Sequence, residues 1–97
     1  MIRGFINTRL VYLDDEVLCI GPSLKVFNHS PTGFAWGYNG SGPAQLALAI
    51  LMLQLPEERA VALHQDFKRD IIADLDMNKD FEISEIIVKD WIAKKIS

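Results

Sequence analysis

Four clusters of residues have the chemistry and the spacing to make a site. Gly40-Ser41-Gly42-Pro43 is a turn leading into an apolar run. If a helix starts there, its unpaired backbone N–H groups and the positive end of its dipole converge where glycine lets an anion approach closely. The Lys-Ser/Thr pair of a phosphate-binding P-loop is absent, since Pro43-Ala44-Gln45 follows Gly42, and Pro43 removes one donor. The alternative is that the glycines only permit a tight turn between a strand and a helix. Phe34, Trp36 and Tyr38 alternate with Ala35 and Gly37. In a strand these rings share one face, either as a stacking platform for a ligand ring or as core. Asn28, His29, Ser30 and Thr32 crowd a third turn. His29 can serve as a base toward a hydroxyl with Asn28 to orient it. A catalytic constellation must converge from separate segments, however, and the same residues can simply tie a turn through side-chain bonds to backbone.

The fourth cluster is Asp74, Asp76, Asn78, Asp80, Glu82 and Glu85. Counting Asp74 as position 1, oxygen ligands fall at positions 1, 3, 5 and 9 with glutamate at 12, the pattern of a calcium-binding EF-hand loop. Lys79 stands at position 6, where the loop turns sharply and glycine belongs, and it brings a positive charge toward the ion. The expectation is therefore a solvated acidic turn and no cofactor, with calcium as the metal these residues would hold. His64 reads as a helix-face residue. Cys19, the lone cysteine, leaves no internal disulfide or thiolate cluster and reads as buried in a strand, in a reducing cytoplasmic setting.

The elements that would position these residues follow from patterning. Ile2 to Asn7, Leu10 to Leu13 and Val17 to Ile20 read as short strands, with Asp14-Asp15-Glu16 as a turn. Gly21-Pro22 breaks the third strand, Ser23 to Asn28 extends again, and Phe34 to Tyr38 forms a further strand. Leu46 to Leu53 is continuously apolar, so the helix from Ala44 to Leu55, with Pro43 at its first position, belongs at the centre of the core. At about 12 residues it is too short for a membrane, where roughly 20 are needed. Pro56-Glu57-Glu58 opens a second helix whose Ala60, Leu63, Phe67, Ile71 and Leu75 form one stripe. Phe81-Glu82-Ile83 leads to Ser84, the cap of a last helix with Ile87, Trp91 and Ile92 inward. The fold class is α+β: a small antiparallel sheet of three to four strands packed with a central apolar helix and two further C-terminal helices, in a single domain over residues 1–97.

Charge is unevenly spread. No Asp, Glu, Lys or Arg occurs from Val26 to Pro56, whereas residues 56–97 carry seven basic and ten acidic side chains. Part of the neutral stretch is expected at the surface as a self-association face or ligand groove. A net charge of -3 argues against nucleic acid, which demands clustered cations. The first residues lack the apolar run of a secretory leader.

The run from Asn28 to Leu51, NHSPTGFAWGYNGSGPAQLALAIL, resembles the hallmark of a functionally uncharacterised family of small domains from bacteria, phages and other mobile elements. The Tyr12 to Leu18 pattern and the Ile87 and Trp91 spacing are similar too, while Ala35 stands where relatives often carry an acidic residue. The resemblance implies a mobile-element accessory protein in the host cytoplasm that interferes with a defence system, and no activity. Two functions are compatible with the residues. One is a non-enzymatic module that binds a host protein or a second copy of itself through residues 26–56. The other is a binder of a nucleotide or other anion at the Gly-Ser-Gly-Pro turn. In either, the binding residues are Asn28, His29, Ser30, Thr32, Trp36, Tyr38, Gly40, Ser41, Gly42 and Gln45. No catalytic residue is assigned, because no nucleophile, base and orienting acid stand at a familiar spacing.

Overall fold

The computed structural model describes residues 1–96. Four short strands form one antiparallel sheet: β1 (Ile2–Gly4), β2 (Val11–Leu13), β3 (Glu16–Val17) and β4 (Phe81–Ile83), in the spatial order β3-β2-β1-β4. Register follows the apolar alternation. Ile2 lies opposite Leu13 and Ile83, and Gly4 opposite Val11 and Phe81, all on the core face, while Arg3 lies between Tyr12 and Glu82 on the outer face. Helices α1 (Gly21–Val26), α2 (Ser41–Leu51), α3 (Glu57–Phe67) and α4 (Glu85–Ile96) complete the α+β fold, and a single π-helical turn, Lys68–Ile72, extends α3.

The pillar is α2. Every residue from Gly42 to Leu51 is buried, because a helix apolar on all sides is stable only when covered on all sides. Helices α1 and α3, the π turn and the loop at 27–40 supply that cover. Helix α3 then presents Ala60, His64 and Phe67 inward and its charges outward. The π turn inserts one residue into the helical phase, so Ile72 is fully buried and the expected stripe members Ile71 and Leu75 only partly so.

Several expectations are corrected. Gly21-Pro22 does not separate two strands; it starts α1, since proline is suited to a first helical turn, and the segment read as extended from Ser23 is helical to Val26. The third strand is only Glu16–Val17, and Cys19 is exposed beyond it. Helix α2 begins two residues early, at Ser41, which puts Pro43 at its third position. In α4, Ser84 Oγ accepts the Ile86 N–H at 3.1 Å as expected of a cap, but Val88 replaces Ile87 on the buried face.

The largest correction concerns Phe34 to Tyr38, which is not a strand. Gly33 and Gly37 sit at φ 150° and 84°, and these bends break the alternation, so Phe34 and Trp36 turn inward while Tyr38 is 43% exposed. Trp36 stacks edge-on against Phe81 at 4.7 Å, and its Nε1 donates to the Lys79 carbonyl at 3.0 Å. Gly37 donates to the Ile72 carbonyl at 3.0 Å, and a Cβ there would collide with the backbone of Met77. Both the left-handed backbone and the close approach therefore demand glycine. Gly37→Ala is expected to cost about 3 kcal/mol in chemical denaturation, from a positive φ and a clash that backbone atoms cannot relieve. A loss below about 1 kcal/mol would contradict this packing.

Candidate functional site

The start of α2 opens onto a cleft of about 390 Å³. Its walls are Ser30, Thr32, Gly33 and Phe34 from the loop after α1, Ala35 and Tyr38 beyond, Ser41 and Gly42 from the first turn of α2, and Arg9 from the turn between β1 and β2. Five of the expected binding residues thus meet here: Ser30, Thr32, Tyr38, Ser41 and Gly42. Gly42 is required by packing, since a Cβ would stand 2.6 Å from that of Ala35. The Tyr38 ring lies over Gly40, which places Gly40 beneath the cleft's rim.

Arg9 is the residue that sequence reasoning missed. Its backbone is left-handed, φ 61°, inside a turn closed by Arg9 N–H to the Phe5 carbonyl at 2.8 Å and Phe5 N–H to the Leu10 carbonyl at 3.0 Å. The guanidinium lies 5.8 Å from the centre of the Trp36 ring. Among the described residues it makes no ion pair with a carboxylate, unlike Arg3 with Glu82 and Arg69 with Asp66. The cleft therefore combines a cation, three hydroxyl-bearing side chains besides tyrosine, and a helix start whose first N–H groups have no intrahelical acceptor.

Gln45 and Trp36 are fully buried and face the interior. The Gln45 carboxamide holds the cleft wall from behind. Its Oε1 accepts from His29 N–H at 2.7 Å and Ser30 N–H at 3.1 Å, and its Nε2 donates to Ser23 Oγ at 2.9 Å and the Phe27 carbonyl at 3.0 Å. Ser30 Oγ then donates to the Gly33 carbonyl at 2.9 Å and closes the turn. Asn28 is exposed outside this clasp.

His29 points away from the cleft, toward α3, where its Nε2 lies 2.8 Å from Nε2 of His64. His64, read as a helix-face residue, lies on the buried face of α3, only 3% exposed, with Nδ1 at 2.6 Å from the Val61 carbonyl. Burial holds both imidazoles below their ordinary value, and the charge of Lys68 pushes the same way; the Val61 bond partly offsets this for His64. The Phe27 ring stacks on His29 at 4.3 Å. Among the described residues no buried side-chain polar atom lacks a hydrogen bond.

The side chains of the acidic loop make bonds of their own. Asp80 Oδ1 accepts the Ile6 N–H at 2.7 Å, Asp76 Oδ1 accepts Asn78 N–H at 2.9 Å, and Glu85 pairs with the Met1 ammonium, a bond that holds its carboxyl below the usual range. Asp74 and Asn78 are exposed. Among the described residues no three His, Cys, Asp or Glu side chains converge on a point that could hold a metal.

Two further concavities lie beside the cleft, and the larger shares Arg9, Thr32, Gly33 and Phe34 with it. Cavities of about 370 and 280 Å³ share Val17, Leu18 and Cys19 and run as an apolar trough from Leu10, past the open edge of β3, to Met52 and Leu53. A hollow of about 510 Å³ lies on the outer face of the sheet by Phe5 and Tyr12. Among the described residues no helix is long and apolar enough to cross a membrane.

The sequence model of DUF6166, a family of unknown function, matches residues 3–94. The chain belongs to the DUF6166 family. No curated protein and no solved structure matches it. Membership spans both the cleft and the Gln45 clasp of this DUF6166 domain and assigns neither an activity.

Two outcomes check the site's construction. Gln45→Ala leaves two N–H donors, a hydroxyl and a carbonyl without their partner and is expected to cost about 3 kcal/mol or more, whereas Asn28→Ala should stay within about 0.5 kcal/mol. Equal effects in urea unfolding would place the clasp elsewhere. Excess calcium is expected to leave the melting temperature unchanged; a rise abolished by Glu85→Gln would restore the EF-hand reading.

Proposed function

We propose that this DUF6166 domain is a non-enzymatic binding module that takes a small oxyanion, such as a phosphate group of a nucleotide, in the cleft where α2 begins. The observation that carries the reading is Arg9. A guanidinium with no carboxylate partner among the described residues is held against Trp36 on the rim of the same cleft as Ser41, Gly42, Ser30 and Thr32. Guanidinium and backbone N–H groups are the donors that recognise tetrahedral oxyanions, and hydroxyls adapt to the remaining oxygens. Trp36 acts through Arg9, not by stacking on a ligand ring.

A second reading, binding of a protein or of another copy of the chain, is favoured by the apolar trough along β3. Exposed Leu10, Val17 and Leu53 line it, and the edge of β3 offers unpaired backbone groups to an added strand. In the setting implied by the hallmark run, a phage or other mobile element acting in the host cytoplasm, the first reading makes the domain a trap for a signalling nucleotide. The second makes it an inhibitor of a host defence protein.

Sulfate and inorganic phosphate titrations followed by amide chemical shifts separate the two. Binding is expected to shift Ser41, Gly42 and Thr32, and Arg9→Ala should weaken it about tenfold or more with the fold intact. Unchanged affinity in Arg9→Ala, or shifts confined to other surfaces, would reject the oxyanion cleft.

A further inference from the structure

The loop that carries Ser30 and Thr32 is held to the body of the protein by two clasps of different kinds. Gln45 grips its backbone and does not titrate. The His29–His64 bond grips its side, and the proton inventory of that bond is fixed by geometry. A carbonyl can only accept, so His64 Nδ1, at 2.6 Å from the Val61 oxygen, carries the hydrogen, and the neutral ring's lone pair is on Nε2. That lone pair meets His29 Nε2 at 2.8 Å, so His29 donates from Nε2 and keeps its own lone pair on Nδ1.

Two protonation steps then differ in kind. The first proton goes to His29 Nδ1 and leaves an imidazolium that still donates to His64. The second must go to His64 Nε2. Both facing nitrogens would then carry hydrogen at a separation of 2.8 Å, between two positive rings, and the bond cannot survive.

We propose that His29 and His64 form a proton-operated latch, which keeps residues 27–33 closed against α3 until the pair takes its second proton and then loosens the wall of the cleft. Its consequence for ligand rests on the oxyanion reading; the latch itself does not. The surroundings oppose protonation. Burial disfavours charge on both rings, the His64 ring disfavours charge on His29, and Lys68, from the π turn, repels it on both. Helix α2, behind the loop, contributes no charged side chain, and Phe27 and Gln65 complete the shell with a ring and an amide. Because both folded values lie below the ordinary 6.5 of the unfolded chain, the latch stabilises the closed loop fully above about that pH and is lost as pH falls through the lowered values. Gln45 persists throughout, so the effect is a weakened cleft and not an unfolded protein.

The test follows the two imidazole Cε1–H resonances and the amides of residues 27–33 by NMR from about pH 7.5 to about pH 4.5, with sulfate as a probe whose charge is constant over that range. The wild type is expected to show coupled ring titrations below 6.5, loop amide shifts in step with them, and at least about fivefold weaker sulfate binding at the acid end. In His29→Gln the amide can donate to neutral His64 and its oxygen can accept from protonated His64, so loop and affinity should stay constant. Independent ring titrations at the ordinary value, loop amides that do not move in the wild type, or an equal loss in His29→Gln would each overturn the latch. If sulfate binds at no pH, the oxyanion reading fails alone. Loop shifts that follow the rings in the wild type and vanish in His29→Gln would still support the latch, and their absence would overturn it.

Discussion

One buried carboxamide organises this domain. Helix α2 is apolar on every side except at Gln45, and that exception joins three segments: Ser23 of α1, the Phe27 carbonyl at its end, and the N–H groups of His29 and Ser30. An amide in so dry a place is tolerated only when its donors and acceptor are all engaged, and here they are. The arrangement converts a disadvantage into specificity. An apolar residue would let the loop slide over the helix, whereas Gln45 fixes one register and so fixes which way Ser30 and Thr32 face. The rest of the loop is secured farther along by bonds across the core, from Trp36 Nε1 to Lys79 and from Gly37 N–H to Ile72.

Much of this was legible in the sequence, and the illegible remainder has physical causes. Leu46 to Leu53 announced a helix covered on all sides, because no other element buries so long an apolar run in a chain of this length. The sheet was legible in outline and its strands were shorter than the apolar segments suggested, since Leu18 and Ile20 pack on the core from a loop. Phe34 to Tyr38 misled because alternation of large and small residues is the signature of a strand, yet Gly33 and Gly37 permit bends that no propensity ranks. The stripe on α3 was right at Ala60 and Phe67, with Leu63 only partly buried and His64 inward beside it, and it lost its phase at the π turn, which local sequence does not mark.

The site was half legible for a related reason. Residues near in sequence, such as Ser41, Gly42, Ser30 and Thr32, could be grouped by turn signals alone. Arg9 and His64 could not. Each enters from a distant element, and only the packing of the turn after β1 against Trp36, and of α3 against the loop, brings them in. The acidic loop shows the converse. Its spacing suits a calcium site, but Glu85, the glutamate at position 12, is engaged by the Met1 ammonium. Ligand spacing is informative only while the side chains are free. Membership in DUF6166 leaves the function to be argued from these side chains, and the proposed oxyanion reading rests on a guanidinium beside a helix start.

The most direct test is a crystal structure of the domain grown in concentrated sulfate. The expected result is a sulfate between the Arg9 guanidinium and the first turn of α2, within hydrogen-bond distance of Ser41, with His29 and Ser30 still bound to Gln45. A cleft without the ion, or Arg9 turned away to a carboxylate while the Gln45 clasp stands intact, would contradict the account.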